Sequence, residues 1–472
     1  MFSTPGEALE YISDHNIDTV DLKVSALAGQ WMHLSLPARA CTPAVFDQGV
    51  GYDGSSGSGL TRVENGDVAA VPDPATAFID PFSERPTLSF ICDTVTADTR
   101  QPFPDAPRTI AKRAEAHLAD SGIADQALFA PEFEFHVFDR VEVINEPFCT
   151  TVEIDAAESQ GDGSHYPLQR QRGYMSVPPA DQLHDLRNEI AHLLEGIGVP
   201  VRYHHHEVGA SGQCEIEVEL DTLTRAADRT QIIKYVVKNV AARRGKIATF
   251  MPKPIHGENG NGMHVHQKLA NRDHHLFFDG AKGRYGQLSD TALWYIAGLL
   301  QHAPALTALT NPSTNSFKRL VPGYEAPVSL FFSLANRSAA IRVPRYATSP
   351  AEKRIEYRPP DFTGNIYLSL AAMLLAGLDG IRAKLNPAEH NFGPFDVDIA
   401  AQDDAFRNRI ATLPRDLSAA LDALTDDHDF LCRGEVFRES FFDHWRQLKL
   451  NADARQIATR PHPYEYQLYL DT

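Results

Sequence analysis

The chain has 472 residues, with 44 Lys+Arg against 62 Asp+Glu for a formal net charge of −18, and it is 43% hydrophobic and 22% charged. That length suits two or three domains with a sizeable core, and so acidic a surface repels phosphate backbones and anionic lipid headgroups, which excludes nucleic acid and membrane as partners. The five scattered cysteines contain no C-x-x-C pair, so neither a disulfide framework nor a thiolate zinc site is indicated, and the N-terminus lacks an export pattern; a cytoplasmic protein is expected.

Thr4-Pro5-Gly6-Glu7 has the layout of an N-cap, a helix-starting proline and a capping-box glutamate, which predicts a helix to about residue 14. Alternating apolar and polar residues over 19–36, around Ala28-Gly29, predict a hairpin. The chain stays β-like to about residue 105, through a Gly/Ser cluster at 51–59 and the strand TLSFICD. The Pro-rich QPFPDAPR then marks a boundary that divides the chain into domains 1–104 and 105–472. Beyond it, helices are predicted over 108–122, 181–198, 228–246, 291–309 and 365–384, with a strand over 127–139. The apolar stretch 368–380 is shorter than the ~20 residues that span a bilayer and reads as a buried helix. The fold is mixed α and β.

P-loop, G-x-G-x-x-G, zincin and G-x-S-x-G motifs are absent. Four clusters carry chemistry. In Phe129–Phe135 (FAPEFEF), alternation puts Glu132 and Glu134 on one face and the aromatics on the other. Carboxylates that close repel unless a cation neutralises them. His204-His205-His206-Glu207 precedes Glu215, Glu217 and Glu219; the histidines alternate faces and read mostly as structural, and Glu217 and Glu219 as an exposed face. Gly260-Asn261-Gly262-Met263-His264-Val265-His266 puts two imidazoles on one face after a glycine loop, and Glu356 shares a face with Arg358 as in an ordinary ion pair. Oxygen ligands with an imidazole or two suit hard cations such as Mg²⁺ or Mn²⁺. Arg319, Arg337, Arg342 and Arg358 supply forked donors for carboxylate or phosphate. Metals with arginines point to phosphoryl transfer.

With YDGSS, P-E-x-E-F, HHHEV, NG-x-GMH-x-H, NSFKRLVPGYEAP, NRSA-x-IR and R-I-E-x-R in that order, the chain resembles bacterial type I glutamine synthetase over essentially its whole length. The resemblance implies an α+β protein in which a small N-terminal β-grasp domain packs beside a large catalytic domain. The curved antiparallel sheet of that domain forms an open, barrel-like funnel surrounded by helices. It implies ATP-dependent ligation of ammonia to L-glutamate through γ-glutamyl phosphate. It also implies two or more divalent cations per site and a homo-oligomer, a dodecamer of two stacked six-membered rings with active sites between neighbours. By matching motifs, Glu134, Glu207 and Glu215 hold one cation, and Glu132, His264 and Glu356 the second. Asp53 is the base of an ammonium pocket shared with Ser56, Tyr174 and Glu207, Arg337 stabilises the transferring group, and Glu325 closes the site. Asn259, Gly260, Arg319 and Arg358 bind glutamate, and His266, Arg342 and Arg354 bind ATP.

Two positions depart from the family pattern near the nucleotide: Lys268 replaces a usual serine and Ala351 a usual lysine. Ala400 stands where some members carry a modified tyrosine, so control by adenylylation is not expected. The competing readings are a γ-glutamyl ligase for a larger amine, such as a polyamine or ethanolamine, and a non-catalytic assembly or sensing relative.

Overall fold

The computed structural model describes residues 2–62, 64, 66–160, 166–272, 274–321, 326–399 and 401–472. The N-terminal helix runs over Pro5–Asp14, where the Thr4 hydroxyl accepts from the Glu7 N–H and the Glu7 carboxylate accepts from the Ser3 N–H at 2.7 Å. It packs Ala8 and Ile12 on a small core with Val20, Leu22, Leu88 and Phe90. The expected hairpin is present as β1 (Thr19–Ser25) and β2 (Trp31–Pro37), joined in one sheet by β3 (Val50–Asp53), β4 (Asp67–Pro72), β5 (Phe78–Ile79) and β6 (Thr87–Thr96). The order is β2-β1-β6-β4-β3, with β1 and β6 parallel and β5 on β6.

The larger part is a ten-stranded, curled half-barrel sheet in the order β10-β11-β7-β14-β18-β17-β16. Its spine is β7 (Gln126–Phe138), flanked by β11 (Gln213–Val218) and β14 (Val265–Asn271). Beyond these lie β10 (Val201–His206) on one side and β18 (Ile355–Tyr357), β17 (Ala339–Val343) and β16 (Ser329–Leu334) on the other. Short strands β12 (Asp221–Thr222) and β13 (Ile247–Thr249) pair with β7, and β15 (His274–His275) pairs with β14, while β8 (Arg140–Glu146) and β9 (Cys149–Asp155) form a separate hairpin.

Helices Leu223–Arg243, Asp290–Gln301 and Ile366–Ala383 contribute much of the main core. Ile366–Ala383 is long and apolar enough to cross a membrane, but 83% of it is buried inside the protein, as a core helix should be. It crosses Asp290–Gln301 at close range, because a Cβ on Gly298 would run into the Ala376 carbonyl and one on Gly380 into the Trp294 carbonyl. The single helix predicted over 291–309 is two, Asp290–Gln301 and Ala303–Thr310, split at His302. Pro304 in the first turn of the second has no N–H to continue the first.

Arg108 joins the two parts. Its buried guanidinium donates to Asp228 on the helix Leu223–Arg243, at 3.0 and 2.9 Å, and to Asp93 and Asp73 beside the N-terminal sheet, at 2.7 and 2.8 Å.

Candidate functional site

Register on the half-barrel sheet determines which charges meet. Glu134 pairs across the ladder with Glu215, and Glu132 with Glu217, which places like charges directly opposite one another. On the other side His266 pairs with Glu356, and Glu356 with Arg342. Phe133 and Phe135 turn away from this face into the core, where Phe133 stacks on Phe362 and Phe135 tilts against Phe250. The alternation read from FAPEFEF is therefore present, but its acidic face points into a cavity rather than to open solvent. That cavity has a volume of about 510 Å³.

Ligand atoms of Glu134, Glu207 and Glu215 lie within 4.8 Å of one another, as do those of Glu132, His266 and Glu356, and those of Glu132, Glu215 and Glu217. Glu132 accepts from His264 Nδ1 at 2.7 Å and from His266 Nε2 at 2.8 Å. Both imidazoles therefore face it, and His264 Nδ1 also lies 3.6 Å from Glu134 and 3.9 Å from Glu356. Glu356 is clamped by Arg358, at 2.5 Å, and by Arg342, so the ion pair read from the sequence coexists with membership of the acidic cluster.

The electrostatics differ across the cluster. Burial would raise Glu132, but hydrogen bonds from His264 and His266 take its carboxyl well below the ordinary range. Glu207 has no such partner set: burial and then the Glu134 charge push it up to about 8, against the pull of the Val208 N–H and Arg337. Glu215 is raised well above the ordinary range by burial and by Glu132, Glu207 and Glu134. Carboxylates forced to hold protons near neutrality, with oxygen donors converging from three strands, make a donor set suited to hard divalent cations. The residues fit such ions.

The glycine loop is set by buried polar contacts. Asn261 accepts from His136 at 2.8 Å and from Gln213 at 3.2 Å, and Gln213 also donates to the Gly260 carbonyl at 2.9 Å. The Gly262 N–H donates to Glu134 at 2.8 Å. A side chain at Gly260 would strike the Pro252 carbonyl, and one at Gly262 the Arg319 guanidinium.

Of the residues picked from sequence, Glu132, Glu134, Glu207, Glu215, His264 and Glu356 line this cavity, as do Tyr174, Asn259, Gly260, Arg319, Arg337, Arg342 and Arg358. Arg319 donates to the carbonyls of Pro359, Pro360 and Arg358, which fixes the guanidinium in the wall. Arg337 lies over the Tyr174 ring at 5.8 Å. His266 and Arg354 are buried behind the lining and bonded to each other at 3.3 Å. Asp53 and Ser56 do not line this chain's cavity. They sit exposed on the N-terminal sheet, where hydrogen bonds from Ser56 and Ser55 lower the Asp53 carboxyl to about 2. Glu325 lies outside the described residues.

Glu217 corrects the sequence reading. It was expected on an exposed face, yet it is buried, bonded to the Tyr203 hydroxyl and to Arg202 at 3.3 Å, and it lines the cavity. Only Glu219 is exposed. All six residues of β11 are buried, so strand alternation divided them into faces without indicating that both are covered. Tyr203 and Tyr346 also line the cavity and carried no motif signal.

Residues 104–469 match the glutamine synthetase catalytic domain, and residues 16–97 match the glutamine synthetase beta-Grasp domain. The chain is 43% identical to the glutamine synthetase of Frankia alni over 482 residues and 44% identical to that of Streptomyces coelicolor over 480, each covering 100% of both chains. A cryo-EM structure of Plasmodium falciparum glutamine synthetase superposes with a TM-score of 0.90 at 27% identity, covering 99% of each chain. A structure described as a GmaS/ADP complex gives 0.81 at 26%, covering 98% of this chain and 99% of that one. A β-grasp domain beside a half-barrel sheet with a carboxylate-lined cleft defines an ATP- and metal-dependent ligase. The chain belongs to the glutamine synthetase family.

Proposed function

We propose that the chain ligates ammonia to L-glutamate with ATP, giving L-glutamine, ADP and phosphate, and that the cavity on the half-barrel sheet is its active site. The observation that carries this reading is the convergence of Glu134, Glu207 and Glu215, and of Glu132, Glu356 and the histidines, on one cavity walled by Arg319, Arg337, Arg342 and Arg358. Glu134, Glu207 and Glu215 would hold one divalent cation, and Glu132, His264 and Glu356 a second. When bound, these cations supply charge neutralisation for the ATP phosphates.

Arg319, Arg358, Asn259 and Gly260 hold glutamate so that a γ-carboxylate oxygen attacks the γ-phosphorus, and the bond from that phosphorus to the ADP oxygen breaks. Arg337 and Arg342 offset charge on the transferring group. Arg354, with His266 behind it, supports the nucleotide side. Ammonium is not a nucleophile, so Asp53, in a pocket with Ser56, Tyr174 and Glu207, takes its proton. Ammonia nitrogen then bonds to the acyl carbon and phosphate leaves, while Glu325 closes the site against water.

Because Asp53 and Ser56 stand apart from their own chain's cavity, they serve a neighbour's. This supports sites built between subunits, and we assign a dodecamer of two stacked six-membered rings in the cytoplasm. The chain divides into domains 1–104 and 105–472.

Phosphate release with glutamate, Mg²⁺ and ATP tests the reading. Turnover with ammonium, yielding glutamine and lost in Asp53→Ala and Glu325→Ala, is expected. Turnover only with larger amines, such as polyamines or ethanolamine, would overturn it.

A further inference from the structure

Beside the cavity, the segment 170–175 lies against the turn 256–258, and three hydrogen bonds splint them together. Arg170 Nε donates to Glu258 Oε1 at 2.6 Å, Arg170 Nη2 donates to the His256 carbonyl at 3.2 Å, and Gln171 Nε2 donates to the Gly257 carbonyl at 3.0 Å. Each side of the splint runs directly into the cavity wall, through Tyr174 on one side and through Asn259 and Gly260 on the other.

Burial across the ion pair is lopsided. The Arg170 side chain is 66% exposed and the Glu258 side chain 1%, and Glu258 Oε2 makes no hydrogen bond among the described residues. A carboxylate held out of water depends on its cation far more than a solvated one does, because water cannot take the place of the lost partner. Gly257 has φ +80, and a Cβ there would come within 3.1 Å of the Arg170 guanidinium, so a glycine both allows this turn and leaves room for the arginine to cross it.

The two halves are anchored to different parts of the cavity. On the first, the Gly173 N–H donates to the Val208 carbonyl at 3.0 Å and the Met175 N–H to the His206 carbonyl at 2.9 Å. A side chain at Gly173 would strike the Glu207 carbonyl and the His206 ring, so this segment rides on the backbone that carries Glu207. On the second, the Lys253 ammonium donates to the Glu258 carbonyl, and the Asn261 N–H donates to the Pro252 carbonyl at 2.8 Å.

We propose that Arg170 is a positioning residue for the reaction: acting through Glu258, it holds Asn259 and Gly260 in register with Tyr174 and Glu207, so that the glutamate and amine ends of the cavity form together. This rests on the reading of the cavity as the active site. Neither Arg170 nor Glu258 lines the cavity, so their effect on substrate passes through the residues that follow them in the chain. A turn released from Arg170 keeps its contacts available but loses their orientation, which is costly for a pocket that must hold a small, charged substrate in one pose.

The test is calorimetric titration of the full chain with ADP in Mg²⁺, and then of the Mg²⁺- and ADP-saturated chain with glutamate. Because no amine is present, the outcome is separable from whether ammonia is the nucleophile. Arg170→Ala is expected to weaken glutamate binding roughly tenfold and to leave ADP binding within about twofold of native. Arg170→Lys should recover part of the loss, with circular dichroism establishing that each variant folds. In a Glu258→Gln background, Arg170→Ala should add little, because the two side chains act through one contact. Native glutamate affinity in Arg170→Ala, an equal loss of ADP affinity, or losses that simply add in the double variant would each overturn the proposal.

Discussion

The Lys268 ammonium donates to the backbone carbonyl of Ala351, 83 residues further along the chain. Read along the sequence, a lysine for a serine and an alanine for a lysine look like two separate losses near the nucleotide. In space they are one exchange, in which the cation missing at 351 returns from β14. Burial, with Arg354 nearby, lowers the Lys268 pKa. Lys268→Ser is expected to raise the KM for ATP about tenfold, or ~1.4 kcal/mol, with little change in kcat. The double variant Lys268→Ser/Ala351→Lys should recover most of it, and steady-state kinetics that leave KM unmoved in the single variant would refute the exchange.

Cation binding should release protons. Glu207 is held up to about 8 by burial and Glu134, and Glu215 is raised well above the ordinary range by burial and neighbouring carboxylates, so below pH 8 an ion must displace protons from carboxyls. Apparent Mn²⁺ affinity should therefore fall as pH drops from 8 toward 6 and change less above 8. Calorimetry at pH 7 in buffers of different ionisation enthalpy measures the protons released. Glu207→Gln should release fewer, and a heat independent of buffer in the native protein would sink the prediction.

Arg108 anchors three carboxylates: Asp228 is buried and also accepts from the Tyr367 hydroxyl at 2.6 Å, while Asp93 also pairs with Lys112 at 2.6 Å. Arg108→Met removes the cation from the buried Asp228 and should cost about 3–5 kcal/mol. Urea unfolding measures the loss, and limited proteolysis in the 98–105 segment should quicken as the N-terminal sheet loosens.

His302 gives stability a pH dependence away from the active site. Its ring is stacked on Phe430 and bonded to Asp427 at 2.8 Å and Asp379 at 3.2 Å. Burial alone would lower its pKa, but the two carboxylates raise it above the ordinary value. The folded pKa exceeds the unfolded one, so this stabilisation is fully present below about pH 6.5 and is lost as pH rises through the folded value. His302→Gln should cost about 2 kcal/mol at pH 5.5, with the gap closing at alkaline pH in thermal melts. A gap that widens with pH would contradict the assignment.

Much of the molecule was legible in sequence. Thr4 and Glu7 announce the first helix, and FAPEFEF gives two glutamates on one side of a strand. What the residues could not convey was which side faces a cavity. Glu217 has the same local pattern as the exposed Glu219, and only the placement of β11 between β7 and β10 separates them. The apolar spacing over 291–309 runs unbroken through His302, and Pro304 is the local signal for the break that this spacing does not show. Lys268 and Ala351 meet because β14 lies alongside β18, a register no local pattern encodes. The family motifs, rather than periodicity, lifted the acidic cluster above an ordinary solvated face.

The outward placement of Asp53 makes inheritance of activity a matter of partnership. If each cavity borrows Asp53 from a neighbour, chains bearing Asp53→Ala and chains bearing Glu207→Gln are each inert alone yet carry complementary halves of a site. Unfolded together and reassembled in equal amounts, they should regain roughly a quarter of native turnover, the share of random junctions that unite both intact halves. Two defective copies in one cell would then rescue one another.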